Sequence, residues 1–371
     1  MTAPAKIKVR TRANLAVSDT VAAETAGGAE RMLEGGAALF DPAGLGEIPI
    51  IPLLPTEILE RHHAFVVSDT RFRSAARLLQ ALWREDHDLA IGYDTDAEGE
   101  TRCLGSLIGR AAGRAGGNFL SPSISRLVTR ELAYRETGAV FDDDRLRMNL
   151  LSSQPLVFNL FGPLKLDKGL ATTVFASLLP GFIAEVVDIR FEHSPARGHS
   201  SFTADGTAFD LLIKGTTAAG KRAFIAIEVK YTESCFEPLP RFSGRFDAIA
   251  PASGLFNDPE APDLIANPIQ QLFRQACLAS TMLDQELYDV GLHLLIAPRH
   301  NHNAQAAGSA FAQQLKDPAA GRIPFVSLDL ETVIAAIATA GASDHALALH
   351  RRYTDWWLLD GELELADADA S

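Results

Sequence analysis

Residues Phe202 to Ser234 read FTADGTAFDLLIKGTTAAGKRAFIAIEVKYTES, and this stretch decides the fold. It contains two apolar runs, Thr207 to Lys214 and Arg222 to Tyr231, separated by the polar segment Gly215 to Lys221. Two such runs with a glycine-bearing segment between them are typical of a β-hairpin. We therefore predict a pair of antiparallel strands here.

Alternation along these strands places charged side chains on one face. Successive strand residues point to opposite faces of a sheet. In the first strand, one face carries apolar residues: Phe209, Leu211 and Ile213. Asp210 points the other way, and in the second strand Glu228 and Lys230 project together. Antiparallel pairing would bring Asp210 beside Glu228.

Two carboxylates and an ammonium group are costly to bury unless their charges are compensated. A divalent cation would compensate Asp210 and Glu228. Carboxylate oxygens without a nearby thiolate or imidazole favour Mg²⁺, with Mn²⁺ as the alternative. Lys230 would then orient or deprotonate an attacking water and offset charge that develops on a phosphate. The competing interpretation is a surface hairpin in which Glu228 and Lys230 form a solvated pair.

Asp210, followed after seventeen residues by Glu228-Val229-Lys230, resembles the D…(D/E)-x-K signature of the PD-(D/E)XK nuclease superfamily. The proline that often precedes the aspartate is Phe209 here. The segments FEHSPARG, DGTAFD, IEVKYTES and NPIQQLFRQACLA are similar to a bacterial restriction-endonuclease-like group of that superfamily. The resemblance covers roughly Arg145 to Pro298.

This resemblance implies an α/β fold with a restriction-endonuclease-like core, a mixed β-sheet flanked by helices, preceded here by an N-terminal helical region. It implies that Asp210, Glu228 and the Val229 carbonyl hold the metal and that Lys230 positions the water. In many members the first helix of the core also presents a glutamate to the metal. The polar candidates in this chain are Gln154 and Asn159, for which helix capping and a buried hydrogen bond are equally good explanations.

Four further polar residues are candidates for the site. Glu185 and Glu192 belong to a predicted first strand, Phe182 to Phe191, or lie just beyond it, and each would supply another carboxylate. Gln271 and Arg274 share one face of the helix that follows Asn267-Pro268. The resemblance implies that this face touches the scissile phosphate or the carboxylates, whereas an ordinary solvated face is the alternative.

Composition divides the chain into four parts. Residues 1–46 are rich in Ala, Gly and Thr and are predicted to be a disordered tail. Residues 47–144 form the N-terminal helical region, 145–340 the nuclease core, and 341–371 a C-terminal helix with an acidic tail.

A cytoplasmic protein is expected, because no apolar run approaches the ~20 residues of a membrane span and no apolar signal segment follows the basic start. Three distant cysteines favour neither a disulfide framework nor a zinc site. The net charge of −13 is the main evidence against a nucleic-acid enzyme, because phosphate binding usually draws on a basic surface, although a basic groove could still exist locally.

The sequence predicts a Mg²⁺-dependent nuclease that hydrolyses DNA, an endonuclease of restriction or phage-defence type. A repair or recombination exonuclease is the alternative within enzymes. A nucleic-acid-binding protein that keeps the nuclease fold without turnover is the alternative outside them. DNA is the expected partner, no membrane association is expected, and a homodimer remains open.

Overall fold

The structure is a computed structural model that describes residue 48 and residues 50–95, 99–238 and 243–369. The tail predicted for residues 1–46 lies outside the described residues.

The N-terminal region combines helices with a β-hairpin. Its elements are α1 (Thr56–Arg61), α2 (Arg71–Asp86), β1 (Ile91–Thr95), β2 (Thr101–Ile108), α3 (Arg110–Arg114) and α4 (Pro122–Ala133). Strands β1 and β2 pair antiparallel in a sheet of their own. Only helices were predicted here, because the apolar residues of this hairpin do not alternate along its strands.

The central part of the chain begins with three helices and continues into the predicted strands. Its elements are α5 (Asp143–Met148), α6 (Ser153–Leu166), α7 (Lys168–Leu178), β3 (Glu185–His193), β4 (Phe209–Thr216) and β5 (Arg222–Val229). Helix α6 begins at Ser153, since the Ser152 hydroxyl accepts a hydrogen bond from the Gln154 N–H and Pro155 lies in the first turn.

Helices and two further strands complete the chain. The elements of this last part are α8 (Phe246–Ser253), a 3₁₀ turn (Pro262–Ile265), α9 (Gln270–Asp284), β6 (Val290–Ala297), α10 (His302–Gln314), β7 (Phe325–Asp329), α11 (Leu330–Thr339), α12 (Ser343–Tyr353) and α13 (Trp357–Asp369). The acidic tail predicted at the C-terminus therefore includes a helix.

Five strands form one mixed sheet in the order β3-β4-β5-β6-β7. Strands β3, β4 and β5 pair antiparallel, whereas β5, β6 and β7 pair parallel. The predicted hairpin is confirmed, with Leu211 paired to Ile227 and Gly215 to Ala223.

The two faces of this sheet contribute to two hydrophobic clusters. On the first face, Leu211, Ile213 and Ile227 pack with α6, α7, α11 and α12, and the same cluster includes α1 and α2 of the N-terminal region. On the second face, Leu212 packs with α8, α9 and α10. Phe209, expected on the first face, belongs to the second cluster; it is the first residue of β4.

None of the helices within the described ranges is long and apolar enough to cross a lipid bilayer. The three cysteines are free thiols, of which Cys277 is buried.

Candidate active site

Three carboxylates line up across neighbouring strands at one end of the sheet. Continuing the β4–β5 register one step past Leu211 and Ile227 places Asp210 opposite Glu228. The flanking β3–β4 pairs likewise place Glu192 opposite Asp210. Glu185, the other candidate on β3, pairs with Thr216 at the far end of the strand. The structure thus selects Glu192 as the third carboxylate of this row.

Glu228 is buried and is surrounded by hydrogen-bond donors. Its Oε1 lies 2.5 Å from the Lys230 Nζ and accepts a hydrogen bond of 2.7 Å from the Gln271 Nε2. Its Oε2 accepts a hydrogen bond of 2.6 Å from the Gln275 Nε2. The Lys230 ammonium also donates to the Gln271 Oε1 at 2.7 Å, which closes a ring of three side chains. Both oxygens of Glu228 are therefore fixed in direction.

Asp210 contacts the backbone of the neighbouring strand. Its Oδ2 accepts a hydrogen bond of 2.8 Å from the Val229 N–H. Asp210 is the second residue of β4, so its side chain accepts from a backbone N–H at the end of the β4–β5 ladder. The contact also ties Asp210 to the residue whose carbonyl is a predicted metal ligand.

Burial and like charges nearby disfavour the charged forms of Asp210 and Glu192. Burial first, and then the charges of Glu228 and Glu192, raise the pKa of Asp210 well above its usual value. Burial and the Glu228 charge raise the pKa of Glu192 to about 7. Burial alone would lower the pKa of Lys230, but the charges of Glu228 and Asp210 outweigh it and keep that pKa above its ordinary value. Lys230 is thus a firmly protonated cation.

The donor set suits a divalent cation, because it consists of crowded carboxylate oxygens whose negative charge exceeds that of one ammonium. Among the described residues, no three His, Cys, Asp or Glu side chains already form a ligand group for a metal. The oxygens of Glu228 already bind Lys230, Gln271 and Gln275. A bound cation would have to draw on Glu228 in competition with these donors.

The residue that supports Glu228 from behind was not predicted from the sequence. His293, on β6, is buried, and burial lowers its pKa to about 3, so its imidazole is neutral. Its Nε2 lies 3.2 Å from the Gln275 Oε1 and must be the protonated nitrogen, because an amide oxygen only accepts. This bond directs the amide group of Gln275 towards Glu228. A lone histidine in the apolar run GLHLLIAP was the available signal.

The accessory candidates fall into different places. Gln271 joins the site through Glu228 and Lys230. Arg274, on the same helix, instead forms a 2.5 Å ion pair with the buried carboxylate of Asp205 and donates to the Thr207 hydroxyl at 3.2 Å. Arg274 contacts none of the three carboxylates in the row, because its side chain is held at the turn that precedes β4.

The two candidates on α6 differ from each other. Asn159 donates to the Asn118 carbonyl and the Tyr353 hydroxyl and accepts from the Leu120 N–H, so its amide is fully used in a buried network. These contacts agree with the buried hydrogen bond that was one of its two predicted roles. Gln154 is less constrained, since its Oε1 is buried without a hydrogen-bond partner in the described structure.

Glu233 was not considered in the sequence, yet it connects α6 to the end of β5. Its carboxylate accepts from the Ser153 N–H at 3.1 Å and from the Tyr231 N–H at 2.7 Å. A carboxylate at a helix N-terminus is stabilised by the unpaired N–H groups there. The segment that follows Lys230 is thereby anchored to the helix.

Comparison with known proteins supplies one match. A family model described as the PD-(D/E)XK nuclease superfamily matches residues 67–355, most of the chain and a longer span than the resemblance in the sequence suggested. The mixed sheet flanked by helices agrees with the restriction-endonuclease-like fold of that family. Neither a curated protein nor a solved structure gave a significant match.

Proposed function

The chain belongs to the PD-(D/E)XK nuclease superfamily, and we propose that it is a divalent-metal-dependent endonuclease that cuts DNA, of restriction or phage-defence type. One observation carries this proposal. Asp210, Glu228 and Glu192 lie opposite one another on three neighbouring strands at one sheet end, and the Lys230 Nζ lies 2.5 Å from the Glu228 Oε1. A nuclease needs both metal-binding oxygens and a cation that faces the phosphate, and this row provides them.

The signature residues and the neighbouring glutamate have distinct roles in the proposal. Asp210, Glu228 and the Val229 carbonyl hold Mg²⁺, or Mn²⁺ in its place, and Glu192 adds the third carboxylate. When bound, the cation polarises the phosphoryl oxygen and withdraws charge from the leaving group. Since the pKa of Glu192 is about 7, protons compete for the same oxygens near neutral pH.

Lys230 acts as a charged donor. Its raised pKa means that it does not accept a proton at neutral pH, which leaves positioning the attacking water and offsetting phosphate charge. Gln271 fixes the orientation of the Lys230 ammonium, because its Oε1 accepts a hydrogen bond of 2.7 Å from the Lys230 Nζ. Water then attacks phosphorus in line with the leaving 3′ oxygen, that P–O bond breaks, and a proton from the water passes through solvent to the 3′ oxygen, so that the products carry a 5′-phosphate and a 3′-hydroxyl.

The test uses two site variants and one matched control. Asp210→Ala and Lys230→Ala should abolish cleavage, while Lys221→Ala, which removes an exposed lysine from the same hairpin, should cleave as the wild type does. Each protein is incubated with circular, linear and single-stranded DNA and with RNA, in Mg²⁺ and in EDTA. Circular dichroism checks the folds. Cleavage by either site variant would refute the assignment, and an exonuclease would spare closed circles.

A nuclease-fold protein without turnover is the second candidate, and one observation favours it. Lys230 already pairs with Glu228 at 2.5 Å and both are linked by Gln271, so the carboxylate has a cation without any metal. Calorimetry separates the two functions. Binding of Mg²⁺ or Mn²⁺ that disappears in Asp210→Ala supports the enzyme, whereas no binding with or without DNA supports the second candidate.

A further inference from the structure

A cavity of about 540 Å³ lies beside the predicted catalytic residues. Its walls come from α2, the β1–β2 hairpin, the start of α10 and residues 232–234, which directly follow Lys230. Because one residue spans at most about 3.6 Å, the Cα atom of Thr232 lies within about 7 Å of that of Lys230. The N-terminal region thus lines a space that borders the segment directly after Lys230.

The lining combines apolar surface with unused amide groups. Phe72, Leu104 and Leu151 supply apolar wall. Asn303 lines the cavity and forms no side-chain hydrogen bond with any described residue. The Asn149 Oδ1 accepts from the Leu151 N–H, but its amide N–H₂ has no acceptor within the described ranges. Two amide groups are therefore available to a ligand with a flat apolar body and a polar edge.

Most of the charge in the cavity is already compensated. The Asp69 carboxylate binds the Arg77 guanidinium through contacts of 2.6 and 3.0 Å, and Arg73 lies 3.2 Å from the same carboxylate. Arg102 is exposed and lies 3.6 Å from Asp94, too far for a hydrogen bond. The interior is nearly neutral, while Arg102 gives the rim a guanidinium that can bind a phosphate.

We propose that this cavity receives one nucleotide of the substrate strand, unstacked from its neighbours, with its base among the amides and its phosphate at Arg102. The inference rests on the proposed function and adds a substrate-reading role for the N-terminal region. A double helix is too wide to enter, whereas about 540 Å³ falls within the range of small-molecule sites. Enzymes that take a base out of the stack read it by hydrogen bonds to its edge and by apolar contact with its faces.

The first experiment measures binding of the four deoxynucleoside 5′-monophosphates by calorimetry in EDTA, so that no metal contributes. Asn303→Leu, which keeps the side-chain size, and Arg102→Gln should each weaken binding roughly tenfold. Gln313→Leu, exposed on the same helix as Asn303, and Arg110→Gln, exposed just after β2, should bind as the wild type does. Absence of binding, or equal binding by all variants, would overturn the proposal.

The second experiment shows whether the nucleotide comes from DNA. The duplex contains 2-aminopurine, whose fluorescence rises on unstacking, and binding is measured in EDTA. Emission should rise with wild type and the two controls but not with Asn303→Leu. Binding of free nucleotides without this rise would overturn the substrate-strand assignment. If the cavity variants lose nucleotide binding while wild type cuts no DNA, the proposed function is wrong and this inference stands. If wild type cuts DNA and the cavity variants bind nucleotides normally, this inference is wrong and the proposed function stands.

Discussion

Replacing Glu192 by glutamine should stabilise the protein above neutral pH and leave its stability unchanged in acid. Burial and the Glu228 charge raise the pKa of Glu192 from 4.5 to about 7 in the folded state. The folded protein therefore holds this proton more tightly than the unfolded chain. The carboxyl contributes stability that is fully present below pH 4.5 and is lost as the pH rises through 7. Glutamine does not ionise, so the variant keeps what the wild type loses.

The expected difference follows from the same two values. A pKa raised from 4.5 to about 7 corresponds to about 3 kcal/mol between pH 4 and pH 8. Urea unfolding at pH 4, 6 and 8 would measure it, with the variant gaining most at pH 8. Glu185→Gln is the matched control, because Glu185 is exposed at the other end of the same strand. It should show no such dependence on pH.

Magnesium provides a second arm of the same experiment. A cation that binds only the folded protein raises its stability by mass action. At pH 8, Mg²⁺ at roughly 10 mM, in excess over a weak site, should raise the free energy of unfolding of wild type more than that of Glu192→Gln. Equal unfolding of Glu192→Gln and wild type at every pH, or a variant that is less stable at pH 8, would refute the electrostatic reasoning.

Two further predictions concern α9. Gln275→Leu and His293→Phe should each lower kcat about tenfold with KM nearly unchanged. The double variant should be no slower than Gln275→Leu, because His293 acts on Glu228 through Gln275. Additive losses of kcat in steady-state kinetics would contradict this chain of contacts. Arg274→Gln should lower the free energy of unfolding by about 3 kcal/mol at pH 8, since it leaves the buried Asp205 carboxylate without its cation. If unfolding is unchanged and only DNA binding weakens, Arg274 contacts phosphate instead.

Local sequence patterns were sufficient to predict the hairpin. Alternation in β4 and β5 and the glycine-bearing segment between them depend only on neighbouring residues, and the observed pairs Leu211 with Ile227 and Gly215 with Ala223 agree with them. The start of α6 was predictable for the same reason, because the Ser152 cap and Pro155 in the first turn are local signals. The catalytic roles of the charged residues remain predictions.

Long-range pairing was not predictable from these patterns. Glu185 and Glu192 were equivalent in sequence, and only the β3–β4 register distinguishes the residue opposite Asp210 from the one opposite Thr216. Arg274 shares a helical face with Gln271, yet its side chain reaches the Asp205 turn. Periodicity gives the face of an element but not what lies across from it, so the partner of each side chain requires the tertiary structure.

His293 could have been identified from the sequence as a residue that needs a buried partner. A polar residue that interrupts a buried strand must be hydrogen-bonded, or its burial costs free energy. That rule identified Asp210 in β4 and applies equally to His293 in β6, whose neutral imidazole finds Gln275. Gln275 in turn fixes Glu228, so each interruption of an apolar strand leads to the same cluster. Buried polar residues in this sheet are therefore explained by the site they support rather than by the core that surrounds them.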